Sequence, residues 1–89
     1  MARLELSAVE SNDIAAQGGT VDALFELGIM HATGREAGVD LVLAHKFFNL
    51  AAMRGNAEAK RYRMEISREM DKRQIAEAQK LAREWIRKH

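Results

Sequence analysis

Eighty-nine residues with 47% apolar side chains, no proline and no cysteine make one small domain, of a size that buries little more than ~60% of the unfolded chain's surface. Without cysteine the chain has no disulfide, thiolate zinc site or thiol nucleophile. A net charge of +1 lacks the large positive excess of a protein devoted to holding phosphate backbones. The spread of charge is uneven: residues 1–53 carry three Lys/Arg and seven Asp/Glu, a net of −4, and residues 54–89 carry eleven and six, a net of +5. The molecule therefore has an acidic end and a basic end. The opening MARLELSAVESND has neither a basic start nor a continuous apolar run, and no stretch reaches the ~20 apolar residues of a membrane span, so a cytoplasmic protein is the default expectation.

The commonest residues, Ala, Leu, Glu, Lys, Arg and Met, are those that lose least on entering a helix, so the composition predicts an all-α fold. The first helix is expected from Ser7 to about Gln17, with Ser7 and Glu10 as a capping box and Gly18-Gly19 as its stop. Thr20 caps a second helix over 21–33. In it Ala23, Leu24, Leu27, Gly28, Met30 and His31 share one face, and Phe25 and Ile29 point to another. Gly28 in mid-helix costs about 0.8–1 kcal/mol against Ala, which calls for a compensating close contact such as a neighbouring backbone. Gly34 stops this helix, and Arg35 to Val39 form a short loop.

Asp40 caps a third helix over 41–54. Its apolar members Leu41, Leu43, Ala44, Phe47, Phe48, Leu50, Ala51 and Ala52 cover more than half the circumference, the pattern of a helix with neighbours on both sides. Val42, His45, Lys46, Asn49 and Met53 make up the outer strip. Gly55 ends it, and Asn56 caps a fourth helix over about 57–70 with a narrow stripe of Ala59, Tyr62, Ile66 and Met70. Asp71 and Gln74 form another capping box, opening a last helix over 72–88 whose apolar face is Ile75, Ala78, Leu81, Ala82, Trp85 and Ile86. About five helices with short links predict antiparallel hairpins stacked side by side.

An internal repeat supports that stacking: AAQGGTVDA at 15–23 aligns without gaps with AAMRGNAEA at 51–59, an offset of 36 residues. Within this period, ALFELGIMHATGREAGVDLVLAHKFFNLAAMRGNAEA at 23–59 resembles one Sel1-like repeat, a relative of the tetratricopeptide repeats. The pattern is met at Ala23, Leu27, Gly28, Gly34, Asp40, Ala44, Phe47, Phe48, Ala51, Ala52 and Gly55. It is departed from at His31, where an aromatic is common, and in the loop, where Glu36 replaces a glycine and Ala37-Gly38 replaces Val-Pro. The resemblance implies a short right-handed superhelical solenoid. Residues 7–19 are then the second helix of a partial repeat, 20–55 one full repeat and 56–88 a degenerate pair. It also implies a scaffold for protein contacts with no cofactor and no catalytic site.

The residues themselves point the same way. His31, His45 and His89 have no paired i, i+4 spacing and no thiolate nearby, so no metal site is expected; His31 reads as a hydrogen-bonded core residue and His45 as a surface one. Asp40, Asp71, Ser7 and Asn56 are explained as helix caps, and GREAG at 34–38 has neither the spacing nor the preceding strand of a nucleotide-binding loop, so no enzyme is expected. Arg54, Lys60, Arg61, Arg63, Arg68, Lys72 and Arg73 make 54–73 the candidate segment for nucleic acid, weakened by Glu58, Glu65, Glu69 and Asp71 among them. The expected function is protein–protein interaction, with homo-oligomerisation as one form of it. The chosen contact residues are Phe25 and Ile29 on the second face of their helix, and Trp85 and Ile86, which have no later helix to bury them.

Overall fold

The structure, a computed structural model, describes residues 20–34 and 38–89. The helix expected over 7–17 and the loop positions 35–37 lie outside these residues. The described residues form four helices and no strand: α1 (Val21–Thr33), α2 (Leu41–Met53), α3 (Ala57–Ser67) and α4 (Lys72–Lys88). None of these is long and apolar enough to cross a membrane.

Each helix begins on a side-chain cap that satisfies a backbone N–H left open by the missing preceding turn. Thr20 Oγ1 accepts from the Ala23 N–H at 3.1 Å, Asp40 Oδ1 from Leu43 at 3.0 Å, and Asn56 Oδ1 from Ala59 at 2.8 Å. Asp71 and Gln74 close a reciprocal capping box at 2.8 and 3.0 Å. The ends are equally specific. Gly34, at φ +70°, donates its N–H to the Met30 carbonyl, and the Asp40 N–H reaches back to the His31 carbonyl at 2.9 Å. That second bond sets the start of α2 beside the last turn of α1, so the two run antiparallel.

At the end of α2, Gly55 donates to the Ala52 carbonyl and Asn56 to the Ala51 carbonyl, the two bonds of a Schellman stop, with Gly55 at φ +104°. Because Asn56 also caps α3, the chain reverses with no residue to spare. Arg63 Nη1 donates to Asn49 Oδ1 at 2.7 Å across this second antiparallel pair. α3 ends at Ser67, three residues short of the expected 70. Arg68, Glu69 and Met70 donate to carbonyls three residues back, so the last turn tightens and the α-helical ladder is not continued.

α2 is the centre of the packing, with α1, α3 and α4 all against it. Its buried side chains are Ala44, His45, Phe47, Phe48, Leu50 and Ala51. Small residues at Ala44, Ala51, Ala59, Ala78 and Ala82 are all buried, which lets the helices approach closely. The guanidinium of Arg54, just past α2, lies over the ring of Trp85 near the end of α4. Val42 near the start of α2 shares a depression with Asp71, Arg73, Gln74 and Glu77 at the start of α4. The two helices therefore run parallel. Although consecutive, α3 and α4 pack far less on each other than each does on α2.

The close contact expected at Gly28 is present, but the neighbour is a ring and not a backbone. A Cβ at this position would stand 2.5 Å from both Cδ1 and Cε1 of Phe48. Phe48 is itself wedged between Phe25 and Tyr62 and has no room to retreat. Gly28→Ala would gain about 0.8–1 kcal/mol of helix propensity, yet the overpacking penalty of about 1–3 kcal/mol should exceed it. We expect a lowered thermal midpoint for this variant; a raised one would mean that the ring moves freely.

Candidate interaction surface

The four residues chosen as contacts from the sequence do not form one surface. Phe25 is half-buried and belongs to an aromatic triangle joining three helices. Its ring is 5.7 Å from Tyr62, nearly parallel to it at 12°, and 5.9 Å from Phe48, while Phe48 and Tyr62 are 5.6 Å apart. Such tilted and offset rings add to the stability gained from burying them. Ile29 is also half-buried against the core.

Trp85 needs correction, because it is only 7% exposed and is part of the core cluster. No later helix is required. α2 supplies the neighbour, the Arg54 guanidinium covers the ring at 5.2 Å, and His89 stacks on it at 4.5 Å. The indole N–H finds no acceptor, so its burial rests on packing alone. Ile86, one residue on, is 43% exposed. Other exposed apolar side chains are Val39, Met53 and Met64. Sequence reasoning did not select these three. Met53 and Met64 lie off the apolar stripes of α2 and α3, and Val39 lies in the loop before α2.

The repeat-signature positions separate into two roles. Leu27, Gly28, Ala44, Phe47, Phe48 and Ala51 are buried between helices, with Ala23 and Ala52 half-buried beside them. Gly34, Asp40 and Gly55 work at helix ends through the bonds described above.

His31 is buried, as expected, and stacks on Phe47 with the rings 5.8 Å apart. His45 was assigned to the surface and is instead buried. It shares with Asn49 the side of α2 that α3 covers, a neighbour that a reading of α2 by itself cannot place. Its Nδ1 has no partner. Burial, with the nearby Arg63 charge as the lesser cause, holds its pKa below the ordinary 6.5.

The sign of the resulting pH dependence follows from linkage. Below about 6.5 the unfolded chain takes up a proton at His45 that the folded chain resists, so this stability is complete above 6.5 and declines as pH falls below it. In urea titrations at several pH values, His45→Leu should show a shallower loss between neutral and mildly acidic pH than the parent. Equal slopes would show that His45 is accessible to protons in the fold.

No group of three or more His, Cys, Asp or Glu able to hold a metal occurs among the described residues. Among the described residues one depression follows the outer side of α3, along Ala57, Lys60, Arg61, Met64, Glu65 and Arg68, and another lies at the joint starts of α2 and α4. Both are open to solvent and lined by charged side chains, arrangements suited to surface contact more than to enclosing a small substrate.

The basic segment 54–73 is partly committed within the fold. Arg61 pairs with Glu58 at 3.8 Å and lies over Tyr62, Arg63 is bonded to Asn49, and Arg54 covers Trp85. α3 carries three basic and two acidic residues, whereas α4 carries six and two. The positive charge thus extends past the segment chosen from sequence, along α4, whose Lys72 and Arg73 belong to both.

The described residues form an all-helical fold built around one central helix, and the depressions described on them are open to solvent. No family model, curated protein or solved structure matches this chain.

Proposed function

We propose that the protein is a non-catalytic protein–protein interaction module, a helical-repeat scaffold of the Sel1-like kind that also associates with itself. The observation that carries this reading is the arrangement around α2. Successive antiparallel helices, with α4 returning parallel to α2, follow the alternation of a helix-pair solenoid. The 36-residue internal repeat and the burial of Leu27, Gly28, Ala44, Phe47, Phe48 and Ala51 support the same reading. The loose contact between α3 and α4 fits a degenerate final pair. In this reading the chain performs no reaction of its own.

Contacts would be anchored by exposed apolar side chains, Ile86 and Met53 first, with charge setting orientation and on-rate. The acidic first half and basic second half favour head-to-tail contacts between copies, which stay finite only where the symmetry closes. Sedimentation over a range of concentrations and salt strengths tests the self-associating form. A mass above the monomer that declines on dilution and after Ile86→Asp is expected; a strict monomer throughout would remove it. The alternative of nucleic-acid binding through 54–73 draws less support, since Arg54, Arg61 and Arg63 are engaged within the fold.

A further inference from the structure

We propose that the exposed face of α4 binds the phosphate backbone of double-stranded nucleic acid, without reading its sequence. This inference is independent of the protein-interaction reading. At 3.6 residues per turn Lys72, Lys80, Arg83 and Arg87 fall within an arc of about 80° and span ~23 Å along the helix axis. All four are exposed, and none makes an ion pair with another described residue. Arg73 borders the row on one side, and on that same side Glu84 and Glu77, the two acidic residues of α4, lie further round the helix, followed by Lys88.

The opposite face holds the row in place. Ala78, Ala82 and Trp85 are buried in the packing, and the Asp71–Gln74 box fixes the first turn. The cations are therefore presented on a helix anchored by its opposite face. A duplex offers one negative charge per ~1.7 Å of axis, so ~23 Å of it presents about a dozen phosphates to four aligned cations.

Two observations favour a duplex over a single strand and over a membrane surface. Single-strand binding relies on exposed aromatic rings that stack on bases. The described aromatic residues are all buried or half-buried in the helix packing, and none is among the large exposed apolar side chains. Binding flat on a membrane needs a free apolar helix face. That face of α4 is turned into the core, leaving Ile86 as its exposed large apolar residue.

The test uses the full chain with a labelled 20-base-pair duplex, a single strand of the same length, and vesicles of anionic and zwitterionic lipid. Four phosphate contacts predict a slope near −3.6 for log affinity against log salt, roughly a 150-fold loss between 50 and 200 mM. Lys80→Gln/Arg83→Gln/Arg87→Gln should reduce the slope to near −1, at unchanged helix content by circular dichroism. The matching triple change on α3, Lys60→Gln/Arg61→Gln/Arg68→Gln, should leave most of the binding intact. No duplex binding at low salt would overturn the proposal. So would tighter binding to the single strand or the vesicles, or equal losses from the α3 and α4 variants.

Discussion

Phe48→Ala should lower the free energy of unfolding by about 3–5 kcal/mol, a typical cost for emptying a buried phenylalanine site. Phe48 is 1% exposed and its ring meets two other helices, α1 at Gly28 and Phe25 and α3 at Tyr62. The cavity would open where α1, α2 and α3 meet. Gly28, having no side chain, cannot fill it. For 89 residues a total stability of about 5–13 kcal/mol is typical, so the variant loses a large share of it. Urea unfolding followed by circular dichroism measures the difference. A loss below about 1 kcal/mol, a value typical of surface positions, would mean that the aromatic triangle does not hold these helices together.

Trp85→Ala should cost a similar amount, about 3–5 kcal/mol, for a different reason. The indole is the largest side chain that α4 buries against α2, beside the much smaller Ala78 and Ala82. Its loss leaves Ala78 and Ala82 as the buried side chains of a helix that has little packing on α3. Hydrogen exchange in α4 should rise more than in α1, because the damage is local to one docking surface. The variant also separates two roles for this residue. Lost stability marks Trp85 as core; unchanged stability with lost self-association would mark it as interface and overturn the packing described for α4.

Helix starts were legible in the sequence because their causes are local. Thr20, Asp40, Asn56 and Asp71 each precede an apolar periodicity, and each has its side chain on the N–H three residues on. Stops written with glycine, at Gly34 and Gly55, were equally readable. The stop of α3 was not, since no glycine marks it and the turn tightens through three backbone bonds after Ser67. Mid-helix Gly28 announced a close neighbour, but its identity depended on Phe48, twenty residues away.

Contact residues were harder to read because an apolar side chain looks alike in a core and in an interface. Trp85 lies near the end of the sequence, which suggested exposure, whereas α4 returns alongside α2 and buries it. His45 falls on the polar strip of α2 when that helix is considered alone and is covered once α3 folds back upon it. The row of cations on α4 was present in the sequence, but its freedom from ion pairs required the structure.

Interaction through the surface outside the helix packing is tested most directly by a photo-crosslinking amino acid at position 86, in the full chain produced in its native cells. The expected result is one dominant adduct, with a partner or a second copy, that is competed by excess unmodified protein and is absent when the probe replaces exposed Glu69 on the turn after α3. Diffuse labelling at position 86, no different from that at position 69, would contradict the interaction module.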